Sequence, residues 1–248
     1  MIAVRPSTLT PPSPAPGTLT WGPASHLSRT LLVSGSTVTL TGLLVTLPVF
    51  VQAPWVRHAP FSAALFTVVL LATGLALAQH DRPAVREFGE LLVGFSGSWL
   101  GGALFWGWAR LHPLCHLPVE AFALPLAIGG LRSRWGLACG LYLGSLLGTA
   151  ATDAVIAATG LMPLWPQALA AEANQATELL HQAATTVLQP APLLLIGITA
   201  VALIQLSRRL WRLGPVARVA GAAIATTLVV DGLFLAAALA APQLSGLI

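Results

Sequence analysis

Along the chain, long apolar runs alternate with short segments that carry arginine, proline and the few other charged residues. The runs cover 30–51, 61–79, 90–109, 117–131, 135–160, 191–207 and 216–241. About 20 apolar residues in a helix cross the hydrocarbon core of a bilayer, and most of the runs meet that length. The fourth is short. It holds Pro118 and Pro125, is followed by Arg132, and at helical rise covers about 22 Å. It reads as a span or as one arm of a re-entrant hairpin. The predicted fold is an all-α polytopic bundle of about seven spans, a single transmembrane domain over 29–248. A proline-rich, disordered tail over 1–28 precedes it and lacks the apolar stretch of a secretory signal.

The segment 163–188 departs from the pattern. From Trp165, the apolar positions Leu169, Ala176, Leu180, Ala183 and Val187 recur at helical spacing, and Glu172, Gln175, Glu178 and Gln182 take the other face. This predicts an amphipathic helix on the outer membrane surface, a partner-binding helix, or a plug over a pocket.

Composition agrees with a membrane protein. Of 248 residues, 56% are hydrophobic and only 8% are charged, against about 25% charged in a soluble domain. Mean hydropathy is +0.81. These values exclude an ordinary soluble enzyme, a disordered chain and a nucleic-acid binder. The lipid bilayer is the first partner the sequence implies. All 12 basic residues, in a chain of net charge +4, are arginine. In the seven-span scheme Arg5, Arg29, Arg82, Arg86, Arg132, Arg134, Arg208, Arg209, Arg212 and Arg218 fall on one side, and Arg57 and Arg110 on the other. The positive-inside rule then places the N-terminus in the cytoplasm and the C-terminus outside. Deleting the fourth span would even out this distribution, so the distribution supports that span. Trp55, Trp106, Trp108 and Trp165 fall near the outer interface and Trp135 and Trp211 near the inner one, as expected of interfacial indoles. Trp99 falls mid-span.

Two features carry candidate chemistry. Gly136, Gly140, Gly144 and Gly148 recur every fourth residue of the fifth span. They form a bare stripe on which another helix can pack closely, within the chain, across a homodimer seam or beside a ligand. Three acids, Glu120, Asp153 and Asp231, lie inside predicted spans. A charge at the bilayer centre costs at least about 2.5–3.5 kcal/mol, so such groups are paired, neutral or turned to a cavity. Counting from the span ends puts all three in the outer half, near Arg110, His112 and His116. The functional reading is an outward-opening polar cavity. Asp153 is the substrate or proton site in it, Glu120 the entrance carboxylate and Arg110 a counter-charge. The structural alternative has Arg110 neutralise one carboxylate and a histidine the other, with Asp231 bonded to Thr226 or Thr227.

Other chemistry finds little support. Pro113 separates His112 from His116 and breaks the spacing that a helical metal pair needs. Ser96 and Ser98 have no histidine within a span to activate them, and pigment ligation lacks an in-span histidine for the same reason. No nucleophile-elbow, zinc-protease, phosphate-loop or dinucleotide motif is present. No metal, no cofactor and no enzymatic activity are expected. Cys115 and Cys139 fall near opposite faces and should be free thiols.

Three stretches, FVQAPWVR at 50–57, FSGSWLGGALFWGWARLHPLCHLPVEAFALP at 95–125 and GLYLGSLLGTAATD at 140–153, resemble a family of cyanobacterial and algal-plastid membrane proteins grouped under a domain of unknown function (3120). The resemblance covers most of 45–210. It implies a photosynthetic organism and a cell inner membrane or thylakoid location, and it implies no activity. The glycine-rich stretch at 124–148 and the small helical architecture are also similar to the substrate-binding subunits of energy-coupling-factor vitamin transporters, which bind substrate from outside. Two functions follow as expectations. One is a small-solute or ion transporter, or its substrate-binding membrane subunit. The other is a non-catalytic assembly or scaffold factor for photosynthetic membrane complexes, with a membrane-protein partner.

Overall fold

The computed structural model describes residues 35–240; the tail assigned to 1–28 lies outside them. In chain order the helices are α1 (Gly35–His58), α2 (Pro60–Leu77), α3 (Pro83–Ala109), α4 (Pro113–Gly130), α5 (Gly136–Ala158), α6 (Leu164–Ala170), α7 (Ala173–Val187), α8 (Pro190–Leu210) and α9 (Pro215–Ala240). All except α6 and α7 are long and apolar enough to cross a membrane, seven in total among the described residues. No strand occurs among those residues. The protein is an integral, multi-pass membrane protein with an all-α fold. Helices α2, α3, α8 and α9 each begin at a proline. The missing N–H costs nothing there, because the first turn has no acceptor for it.

Side-chain contacts set the directions. Thr37 Oγ1 donates to Glu87 at 2.7 Å, and Gln52 meets Trp99, so α1 runs parallel to α3. Gly94 lies against Ala138 and Gly97 against Tyr142, which makes α3 parallel to α5. Gly140, Gly144 and Gly148 lie in turn against Val216, Ala220 and Thr227, which makes α5 parallel to α9. Packing of α9 against α1 closes a ring of four parallel helices. Helices α2, α4 and α8 run the other way, outside the ring, against α3, α5 and α9 respectively.

The lower half of the ring is solid. Leu44, Leu91, Phe95, Trp99, Leu137, Leu141, Val219 and Ala223, drawn from all four helices, form one buried cluster. Trp99 is 2% exposed, and its Nε1 donates to the carbonyl of Ala63 at 2.8 Å. Its own carbonyl accepts from the Gln52 amide. The mid-span indole is thus satisfied without water.

The upper half departs from regular helix in three places. In α1, Pro48–Gln52 forms a π turn, with the N–H of Ala53 reaching the carbonyl of Pro48. In α3, Phe105–Ala109 forms a second. In α4, 3-10 turns at Pro113–Cys115 and Ala121–Ala123 separate the short helices His116–Glu120 and Leu124–Gly130. Tyr142 on α5 braces the second break, donating its hydroxyl to the carbonyl of Glu120 and accepting from the N–H of Ala123.

Several boundaries differ from the sequence expectation. Helix α1 continues past Val51 to His58, because the π turn relieves the clash that Pro48 and Pro54 impose on a regular helix. Helix α4 starts at Pro113 rather than 117, which brings His116 into a span and corrects the expectation that no span holds a histidine. The amphipathic stretch is two helices, broken where Ala171 and Glu172 are extended with ψ of 155° and 157°. Helix α7 packs on α6, α8 and α9 and buries Ala176, Ala184 and Val187.

Candidate functional site: a histidine-bridged acid cluster in an intramembrane cavity

Immediately above the apolar cluster the ring opens into a cavity of about 620 Å³. Its floor is set by Val45, Ser98, Ser145 and Thr227, one residue from each ring helix. Higher up it is lined by Arg57, Arg110, His116, Glu120, Asp153 and Asp231. Depth counted along the sequence does not fix which way an acid faces; all three line this one cavity.

His116 sits between two of them. Its Nδ1 lies 3.1 and 3.0 Å from the two oxygens of Asp153, and its Nε2 lies 3.2 Å from Oε1 of Glu120. The three side chains are only 12%, 14% and 17% exposed for His116, Asp153 and Glu120. A neutral imidazole has one N–H, whereas the imidazolium has two. Both contacts are donor bonds only in the cationic form, so the geometry suits a cation between two carboxylates. Glu120 and His116 share one helical turn, and Asp153 comes from α5. The close approach of α4 depends on Gly101, where an added Cβ would lie 3.0 Å from the Cα of Glu120. Aromatic rings pack around the imidazole, with Phe105 at 4.2 Å and Trp165 at 6.0 Å between ring centroids. Trp165, from α6, stacks on Trp106 at 5.6 Å, and its Nε1 donates to the carbonyl of Arg110 at 2.9 Å. The residue that begins the amphipathic stretch therefore also lines the cavity.

Asp231 is bonded elsewhere than expected. Its Oδ2 accepts from Thr152 Oγ1 at 2.6 Å. Thr226 and Thr227 instead donate to the carbonyls of Ala222 and Ala223, one turn back, a common habit of threonine within helices. Arg110 makes no ion pair among the described residues, so it does not neutralise a carboxylate there. His112 is exposed and does not line the cavity. Ser98 lines it, while Ser96 is buried and donates to the carbonyl of Val93 at 2.7 Å. Among the described residues no group of histidine, cysteine and acid side chains is arranged to hold a metal ion. Cys115 and Cys139 are both free, the first exposed and the second buried.

The four glycines of α5 lie outside the cavity wall, apart from their link to α9. A Cβ at Gly140 would lie 2.6 Å from the carbonyl oxygen of Val216, and one at Gly144 2.5 Å from that of Ala220. At Gly136 and Gly148 the nearest atoms are side-chain carbons of Val216 and Thr227, at 2.8 and 2.7 Å. The stripe holds two ring helices together at backbone contact.

A family model described as protein of unknown function (DUF3120) matches residues 41–239. The chain belongs to this family. Comparison with curated proteins and with solved structures gives no match. The span matched by the family model contains every residue that lines the cavity.

Sequence reasoning missed several members of the site. In the sequence Arg57 stands out only as one of the two arginines on the minority side. That minority placement was the available signal, since both exceptions to the arginine asymmetry line the cavity. Thr152, Ser145 and Thr149 are ordinary hydroxyl residues within a helix and gave none. Gln52 is 1% exposed and fixed to Trp99; its position inside α1 was hidden by the prolines around it.

Proposed function

We propose that the protein is a small-solute or ion transporter, or the substrate-binding membrane subunit of one. The observation that carries this reading is the His116 bridge between Asp153 and Glu120, held on a discontinuous helix at the wall of an intramembrane cavity. Ionisable groups are costly within a bilayer and mark solute or proton paths. Irregular backbone is tolerated at that depth where it lines a cavity or is buried in protein, and broken helices at a binding site recur in secondary transporters. The arginine distribution favours an orientation in which the cavity faces outward. In this reading Asp153 exchanges its imidazolium partner for solute or a proton, and Glu120 retains His116 during the exchange.

The test is an uptake screen of metabolites and ions comparing cells that lack the protein, cells that express it, and cells that express Asp153→Asn. Asn keeps the shape and an acceptor for one ring N–H but removes the charge. Uptake of one solute should depend on the protein and fall at least tenfold in the variant at equal membrane abundance. Full uptake in Asp153→Asn would remove that carboxylate from the mechanism, and the absence of any solute or ion whose uptake depends on the protein would overturn the reading.

A further inference from the structure

The charges facing the cavity are not equally engaged. Asp153 and Glu120 are held by His116, and Asp231 by Thr152. Arg57, an exposed residue, and the half-buried Arg110 line the same space, and among the described residues neither forms an ion pair. Helix dipoles do not neutralise them. Among the described spans, four C-termini (α1, α3, α5, α9) and three N-termini (α2, α4, α8) meet at this end, and their partial charges of about half a unit each nearly cancel. The two guanidinium groups are offset in total charge by the acids of the cavity, but the acids are bonded to His116 and Thr152, whereas neither arginine has an ion-pair partner among the described residues. A guanidinium also presents a planar fork of donors that matches carboxylate and phosphate oxygens.

One wall of the cavity has a different character. Pro48, Val49 and Phe50 of α1 face Val230, Leu233 and Phe234 of α9. The Phe50 and Phe234 rings stack with centroids 6.4 Å apart. Phe50 is 60% exposed and Leu233 58%, so this wall lies at the seam between α1 and α9 and adjoins the lipid-facing surface. A wholly polar ligand would leave these carbons wet.

We infer that the cavity binds an amphipathic organic anion, with its carboxylate or phosphate on Arg57 and Arg110 and its apolar body along the α1–α9 wall. This rests on the transport reading and names its substrate class. It also gives Arg57 a role beyond anchoring a helix end.

The test uses the full chain in nanodiscs of zwitterionic lipid and three fluorinated probes of one shape, 4-fluorophenylacetate, 4-fluorophenethylamine and 4-fluorophenethyl alcohol, observed by fluorine NMR. The carboxylate should bind saturably, and at least tenfold more tightly than the amine or the alcohol. Arg57→Gln and Arg110→Gln should each weaken it at least fivefold, and Arg57→Lys should recover part of the loss. Phe234→Ala should weaken it while leaving the preference for the anion intact. Equal binding of all three probes, or preferred binding of the amine, overturns the inference yet leaves a solute-binding cavity. Unchanged affinity in both glutamine variants assigns the arginines to lipid headgroups and also overturns it. No saturable binding of any probe overturns the inference; the uptake screen then decides the transport reading separately.

Discussion

His116 Nδ1 lies 3.0 Å from Oδ2 of Asp153, across 37 residues of sequence and between two helices that run in opposite directions. With Glu120 on the other ring nitrogen, the imidazole is the element that makes two neighbouring carboxylates compatible. Its removal would leave two acids facing one cavity with no cation between them.

The first prediction follows from that geometry. His116→Ala should lower stability by about 2 kcal/mol, less than the 3–5 kcal/mol of a fully buried broken pair because the cavity admits some solvent. In an Asp153→Asn background the same change should cost clearly less, since one of the stranded charges is gone. Thermal unfolding of the four proteins in one detergent gives the coupling energy, expected within about 0.5–3 kcal/mol. Strictly additive effects would mean that the two residues do not interact.

The second concerns the α5–α9 seam. Gly144→Ala places a Cβ 2.5 Å from a backbone carbonyl that cannot rotate away. Overpacking of this kind costs about 1–3 kcal/mol. Gly197, on α8, has nothing within 4 Å of an added Cβ, so Gly197→Ala should be neutral or slightly stabilising through helix propensity. Equal destabilisation of the two variants, followed by thermal unfolding, would contradict the close approach of α5 and α9.

The third tests orientation. Cys115 is exposed near the start of α4, at the cavity end, and Cys139 is buried. A membrane-impermeant maleimide applied to intact cells should label Cys115 alone, and Cys115→Ser should abolish labelling. Labelling of Cys115 only after permeabilisation would reverse the side inferred from the arginines.

The spans were legible because hydropathy over about 20 residues is a property of composition, and a bilayer selects on little else. The ends of α1 and α4 were not, because Pro54 and Pro113 look like stops when only regular helix is considered. The depth of each acid could be counted from the span ends, so the upper half of the bundle was identified as the place of interest. Partners could not be counted. Asp231 finds Thr152 at 79 residues' separation while two threonines a turn away bond their own backbone. Facing depends on how the helices rotate in the ring, and close packing at Gly140 and Gly144 helps to fix that rotation through contacts that no single helix encodes.

The brace at Tyr142 has a mechanical consequence. Within an unbroken helix, displacing one turn strains a ladder of backbone bonds on both sides. In α4 the turn that holds His116 and Glu120 ends at a junction tied to α5 by two hydrogen bonds from one phenol. Each is worth about 1 kcal/mol net. Swinging this short lever away from α5 breaks the His116–Asp153 contact together with the Glu120 tie to Tyr142, and a ligand drives it only if it binds the displaced form more tightly by at least the sum of the two. The junction at Ala121–Ala123 divides α4 mechanically, with the site residues His116 and Glu120 on one side and Leu124–Gly130 on the other.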